Sequence, residues 1–344
     1  MTAAGAARAP APQQADAAAG DRQPRSHALL FDTQAETTTV ELDAIAALEL
    51  SDQRLLWVDL TAPDDDMLAR VWKECGLPEA ALRFHGEGTN PVLCSDGEYF
   101  WLRVVAACNH ESHPVGGAVL TLVAGANRIV SVHEAPIGFI DELRERGHYA
   151  SSIGALGAES FAAVLLDWQL STYFAAVSDY EKAIERLEND ILVGNGRPTL
   201  AELRRLRSWA SRLRRMLAPH RSVFGALSRP DFRPSESRVA ERHFGAIDTR
   251  FERAMDMVEN ARDLVVGSFE LFSSQTALVT NESMRTLTFA TVVIGLLAVI
   301  AGVLGMNFQT PFFDTGTLGF AIAAAVMLVL AVGAVLLGRK RNWL

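Results

Sequence analysis

Cysteine is scarce in this chain of 344 residues: Cys75, Cys94 and Cys108 are the only three, and no two stand at a paired spacing. That excludes a disulfide framework and fits a reducing compartment. Basic residues are also few, 32 Lys and Arg against 41 Asp and Glu. The imbalance lies before residue 282, because 282–344 holds Arg285, Arg339, Lys340 and Arg341 against only Glu282 and Asp314. Taken from the totals, this leaves 28 basic and 39 acidic residues in 1–281, a net charge of −11. A nucleic-acid partner needs the opposite sign along its contact face, so none is expected. An acidic body attracts cations instead. No Gly-rich phosphate loop, nucleotide motif or nucleophile–base constellation occurs, so neither an enzyme with a catalytic cofactor nor ATP coupling is expected. Residues 1–25, rich in Ala, Pro and Gln, lack the apolar run of a secretory signal and read as a disordered tail.

Charge is missing altogether between Arg285 and Asp314, where 286–308 reads TLTFATVVIGLLAVIAGVLGMNF. At ~1.5 Å per residue, an uncharged helix of that length spans the roughly 30 Å hydrocarbon core of a bilayer. A second such run follows, so the expected spans are 286–306 and 317–338, joined by a loop at 307–316 and closed by a basic tail at 339–344. The loop has no Lys or Arg, whereas Arg285 and the tail are basic. The positive-inside rule then places both termini in the cytoplasm and the loop on the periplasmic side of a bacterial inner (plasma) membrane.

Proline is missing between Glu236 and Pro311. Ile247, Phe251, Met255, Val258, Leu264, Phe269 and Phe272 mostly recur there at intervals of three and four. The simplest reading is one helix of about 70 residues, roughly 100 Å long, with a stalk over 236–285 that runs straight into the first span. Such a helix needs an apolar partner along its length, and copies of itself are the obvious ones.

The rest of the soluble part divides in two. Residues 26–158 read as an α+β domain with a mixed or largely antiparallel sheet. Its candidate strands are 27–32, 37–42, 54–60, 98–107, 118–124 and 128–133. Helices are expected at 64–75, started by Thr61 and Pro63 with Asp64, Asp65 and Asp66 in the first turn, and at 136–146. Residues 159–235 read as a helical hairpin. Its first helix covers 159–192, with its stripe interrupted at Ser171 and Thr172; its second covers 200–227, with Pro219 kinking or ending it. The second helix carries Arg204, Arg205, Arg207, Arg212, Arg214 and Arg215, which are expected to pair with Glu185, Glu188 and Asp190 on the first.

Two spans cannot enclose a water-filled path, so conduction would require a ring of copies. In the first span Asn281, Met284, Thr288, Thr291, Gly295, Ala298, Gly302 and Gly305 form one small, weakly polar stripe, and the remainder of the helix is bulky. Close helix packing and pore lining account for that stripe equally well. The second span, without Asn, Gln, His or charge, reads as the outer, lipid-facing helix.

The helix that leads through Asn281-Glu282-Ser283-Met284 into a span ending AGVLGMNF, followed by a short loop, a second span and a basic end, resembles the CorA family of divalent-cation transporters. The match is strong over 281–344, about a fifth of the chain, and weaker at Leu56-Trp57-Val58-Asp59-Leu60 and Val130-Ser131-Val132-His133-Glu134. The resemblance implies a homopentamer with an α/β/α cytoplasmic funnel and a pore-lining stalk. It implies that Gly305, Met306 and Asn307 form the outer selectivity site, that Asn281 forms the inner pore ring, and that Met284 and Leu287 form a hydrophobic gate. The cargo it implies is Mg²⁺, or Zn²⁺, Co²⁺ or Ni²⁺ in a branch of the same architecture that may couple to protons. Members often carry acids soon after the motif; here Asp314 alone remains to concentrate cations. Where regulatory metal binding in the family uses an acid near the start of the long helix, this chain has Ala246, with Asp248 two residues on as the candidate regulatory acid. A membrane-anchored sensor or scaffold is the rival from another class. Cys108, His110 and His113 could hold zinc but fit no strong motif, and His133, His220 and His243 read as structural.

Overall fold

The computed structural model describes residues 24–306 and 316–341, apart from 33–36, 52, 86–87, 111–112, 146–156, 194–199 and 233–237. The chain falls into two compact units, Met1–Ala183 with Arg204–Asp263, and Ile184–Leu203 with Leu264–Leu344.

The first unit is built on a seven-stranded mixed sheet. Its strands are β1 (Arg25–Asp32), β2 (Thr38–Thr39), β3 (Arg54–Thr61), β4 (Val92–Ser95), β5 (Tyr99–His110), β6 (His113–Gly125) and β7 (Arg128–His133), in the order β2-β1-β3-β7-β6-β5-β4. Only the central pair β3 and β7 is parallel; the other pairs are antiparallel. Alternation along β3 divides its side chains between two layers. Leu56, Val58 and Leu60 join the core formed with α1 (Asp65–Cys75), α2 (Glu79–His85) and the 3₁₀ turn at Leu42–Ala47. Trp57 points the other way, its ring meeting Phe161 of the long helix α4 (Ala158–Val193) at 5.6 Å between centroids, and Phe31 meets the same ring at 5.7 Å. The result is the three-layer α/β/α sandwich expected.

Several boundaries moved for local reasons. Asp64, rather than Thr61, caps α1, its Oδ1 accepting from the Met67 N–H at 2.7 Å, and Gly76 closes the helix in the left-handed conformation at φ 62°. The strand expected at 37–42 is only the pair Thr38–Thr39, because Leu42 begins the 3₁₀ turn that buries Ile45. Strand β4 and helix α2 had not been anticipated. The helix expected at 136–146 is α3 (Gly138–Glu145). Pro219 ends α5 (Leu200–Leu217) in a 3₁₀ turn, after which α6 (Arg221–Leu227) resumes.

The interruption at Ser171 and Thr172 has a clear cause. Strand β4 covers β5 only as far as Arg103, so beyond that point β5 is an edge whose backbone groups need partners. Side chains supply them. Val105 N–H donates to His220 Nε2 at 2.8 Å, Gln169 Nε2 and Tyr173 Oη donate to the Val105 carbonyl at 2.6 and 2.9 Å, and Ala107 N–H donates to Thr172 Oγ1 at 2.9 Å. Ser171 Oγ accepts from Arg250. The polar turn of α4 is therefore a sheet-edge cap.

Helix α7 (Arg238–Leu304) is a single run of 67 residues, and α8 (Thr317–Lys340) has 24. The start of α7 packs in the first unit, where Phe244 meets Phe100 and Phe251 stacks on Phe224 at 5.0 Å. The arginine face of α5 does not follow the expected pairing throughout: Arg214 lies 3.7 Å from Glu259 of α7, and Glu188 accepts from Ser268 at 2.7 Å.

Candidate functional site

The second unit holds the residues that sequence singled out. Two helices, Val239–Leu304 and Thr317–Lys340, contain windows apolar enough to cross a membrane, with mean hydropathies of 2.6 and 2.9. A helix serves there because it satisfies its own backbone groups where no water can. Its hydroxyls follow the same rule. Thr276, Thr280, Ser283 and Thr291 each donate to the carbonyl four residues back, at 2.8–2.9 Å.

Asn281, Met284, Leu287, Thr288, Thr291, Gly295, Ala298 and Gly302 all lie on α7, and at 100° per residue they and Gly305 fall within an arc of about 120°. Every one of them is exposed, Met284 at 62% and Leu287 at 68%. The half-buried positions are on another face: Phe289, Val293, Leu297, Ile300 and Leu304. Helix α8 shows a matching stripe, buried or half-buried at Gly319, Ala323, Met327, Ala331, Ala334 and Gly338. The two stripes, bulky on α7 and mostly small on α8, are complementary in the way that packing of ridges into grooves requires. Toward the loop end an apolar cleft of about 670 Å³ is lined by Leu304, Gly319, Phe320, Ala323, Met327 and Leu328. The stripe of α8 is legible in its spacing of three and four, although it contains no polar residue to mark it.

The small stripe of α7 is therefore not what holds the hairpin together. Among the described residues, a Cβ placed on Gly295 or Gly302 would meet nothing within 4 Å. At the other end, Asn281 and Met284 line a groove of about 520 Å³ with Leu200, Phe269 and Phe272. Helix α7 ends where Gly305 N–H donates to the Ala301 carbonyl at 2.9 Å and Met306 N–H to the Val303 carbonyl at 3.3 Å. The negative end of the helix dipole thus adjoins Gly305 and Met306. Asn307 and Asp314 lie outside the described residues, as do the side chains of His110 and His113.

Asp248 sits in the first unit, half-buried on α7. Among the described residues no three His, Cys, Asp or Glu side chains are grouped to hold a metal ion. Cys75 is a core thiol, pushed up to about 12 by burial, and burial also raises the half-buried Cys108. Both are poor ligands in that state. Among the exposed positions of this membrane helix, which also include Val292, Ile294, Leu296 and Val299, the geometry offers one uncharged strip of amide, hydroxyl and mostly small side chains along its length.

Comparison with known proteins agrees with that layout. The family model described as "CorA-like Mg2+ transporter protein" matches residues 52–340. The "Cobalt/magnesium transport protein CorA" of Thermotoga maritima is 28% identical over 233 residues, which cover 67% of this chain and 66% of that protein. The "Zinc transport protein ZntB" of Yersinia enterocolitica is 23% identical over 317 residues, 91% of this chain and 94% of that one. The complete structure of the CorA magnesium transporter of Methanocaldococcus jannaschii superposes with a TM-score of 0.70 at 20% identity, covering 92% of this chain and 98% of that one.

Proposed function

Because the chain belongs to the family of CorA-like magnesium transporters, which makes it a divalent-cation transporter of the membrane and not an enzyme, we propose that it forms a homopentameric pore and carries Mg²⁺ inward. The observation that carries this reading is the face of α7 turned away from α8. Asn281, Met284, Leu287, Thr288, Thr291, Gly295, Ala298 and Gly302 are exposed in one chain, and only other copies could enclose them around an aqueous path. Five α7 helices would bring five such strips together, with Asn281 at the cytoplasmic end and Gly305, Met306 and Asn307 at the periplasmic end. Met284 and Leu287 would narrow the path as a hydrophobic gate. Asp314 would draw cations to the mouth.

Neutral oxygens suit magnesium. The ion dehydrates reluctantly and is commonly held through its waters. Rings of amide and carbonyl groups can hydrogen-bond a hydrated ion without a carboxylate's grip, and conduction requires release. A doubly charged ion gains roughly 4.6 kcal/mol per 100 mV of inside-negative potential, so no other energy source is needed. The basic flanks Arg285 and Arg339–Lys340–Arg341 against a loop without Lys or Arg support cytoplasmic termini in the bacterial inner membrane. A zinc cargo, with or without proton coupling, is the second reading, favoured by the likeness to the Yersinia zinc transporter.

Flux into liposomes with Mg²⁺, Zn²⁺, Co²⁺ and Ni²⁺ tests this. Selective Mg²⁺ uptake is expected; Zn²⁺ uptake alone supports the second reading, and no flux of any divalent ion leaves the hairpin as an anchor. Asn307→Ala should abolish uptake while the mass in detergent stays at five copies.

A further inference from the structure

The two stretches 56–60 and 130–134 are adjacent parallel strands, and their polar residues meet. In the pairing of β3 with β7, Asp59 stands opposite Ser131 and Thr61 opposite His133. Asp59, Ser131 and His133 are each at most 1% exposed. Ser131 Oγ donates to Asp59 Oδ1 at 2.6 Å and accepts from Trp57 Nε1 at 2.9 Å. His133 places Nε2 3.2 Å from the same Oδ1 and Nδ1 2.7 Å from the Ala135 carbonyl oxygen. Among the described residues Asp59 Oδ2 has no hydrogen bond, but Arg144 Nη1 of α3 lies 3.5 Å from it.

Counting protons decides the state of the ring. A neutral imidazole has one N–H and one lone pair. His220 displays that arrangement, with Nε2 accepting from Val105 N–H and Nδ1 directed at the Leu217 carbonyl 3.1 Å away. His133 differs, because a carbonyl faces one nitrogen and a carboxylate the other, and both only accept. The Thr61 hydroxyl, 3.4 Å from Nε2, is farther away than either. A neutral ring would have to turn its Nε2 lone pair to that more distant hydroxyl beside the closer carboxylate oxygen, whereas a proton on each nitrogen satisfies both of the closer contacts.

We propose that Asp59 and His133 form a buried proton-binding site, holding an imidazolium–carboxylate pair between the two central strands, and that loss of this proton as pH rises loosens α3. Release would leave the Nε2 lone pair against the Asp59 carboxylate, with only the longer Thr61 contact to receive it, and would leave Arg144 as the counter-charge of Asp59 beside the neutral Ser131 hydroxyl. Arg144 is already engaged, since it also bonds Asp141 within α3. Its new burden falls on the helix that carries it. The surrounding charges are consistent with proton uptake. Burial alone would lower the His133 pKa, but the bond and charge of Asp59, the Ala135 carbonyl and the Asp141 charge raise it above the ordinary 6.5. His27 of β1, paired with Asp59 across the sheet, is driven the other way: burial and Arg144 lower it, and Arg25 adds to them, against the Asp59 and Asp141 charges, which raise it. On β6, His133 faces Leu120 and Ser131 faces Leu122, neither of them titratable.

A group whose folded pKa is raised contributes stability that is complete below its unfolded value and is lost as pH rises through the folded value. The site therefore favours a tight α3 at neutral and lower pH on the side of the membrane where this unit lies, and a looser one in alkali. The full chain in detergent with isotope-labelled histidine tests this. His133, assigned with His133→Gln, should show two protonated nitrogens at about pH 7 and titrate above its ordinary range. Asp59→Asn should bring it down to that range or below. The melting-temperature gap between the native chain and His133→Gln should narrow as pH rises, and backbone hydrogen exchange in α3 should increase beyond the intrinsic pH effect. If His133→Gln does not fold, the titration of the native chain and of Asp59→Asn decides. A neutral His133 at about pH 7, or a gap constant with pH, overturns the site; unchanged exchange in α3 overturns the loosening.

Discussion

Acid should release the cap on the exposed edge of β5, and His220 sets where. This ring is fully buried, stacked on Phe224 at 6.0 Å between centroids and edge-on to Tyr173 at 6.2 Å. Burial pushes its pKa down to about 4, against smaller opposing effects from the Leu217 and Met216 carbonyls. The neutral ring is what the fold requires, because Nε2 must accept from Val105 N–H. A histidine held neutral contributes stability that is complete above its unfolded value of 6.5, is lost as pH falls from there through about 4, and is constant below that. That displacement corresponds to about 3 kcal/mol. It should appear as the native chain's own acid limb when unfolding is followed by tryptophan fluorescence over a pH series. His220→Gln keeps an acceptor near the Nε2 position but does not titrate. The native chain should therefore be the more stable of the two at neutral pH, and the difference should shrink by about 3 kcal/mol on acidification. A difference that stays constant, or a His220 resonance titrating near 6.5, would refute the reasoning.

Two further outcomes follow from packing. Phe161→Ala should cost about 3–5 kcal/mol in denaturant unfolding of the full chain, because Phe161 is wholly buried against Phe31 and Trp57; a loss under about 1 kcal/mol would mean that α4 does not hold that face of the sheet. Gly302→Val adds side-chain atoms where a Cβ meets nothing within the chain, so the fold and the mass in detergent should be unchanged while divalent-ion flux falls. Unaltered flux would turn that face of α7 toward lipid rather than a pore.

The parts legible in sequence were those set by neighbours along the chain. Alternation at 54–60 and 128–133 marked β3 and β7 because their side chains divide between two buried layers. Strand β4 escaped notice because only four residues pair along a short stretch of β5. Helix α2 escaped although Pro78 directly precedes it, a common start signal. The pattern at 37–42 misled, since Leu42 and Ile45 belong to a period of three. Ser171 and Thr172 looked like a break in an apolar stripe, and only the uncovered backbone of Val105 and Ala107 explains why polar side chains are placed there.

Sequence alone determined that this chain has two apolar spans, a helix running unbroken into the first of them, and a small-residue stripe along it. Hydropathy, helical period and the absence of proline are properties of consecutive residues, and they act before any tertiary contact forms. Tertiary structure alone decided which face of that helix meets α8 and which is left bare, because the choice depends on a stripe of Gly and Ala on another helix. It also decided that Asp59 and His133, 74 residues apart, share an oxygen. Parallel pairing of β3 with β7 sets that register, and no local propensity encodes it. Burial then makes the meeting consequential, since a carboxylate without water must find its counter-charge in the protein.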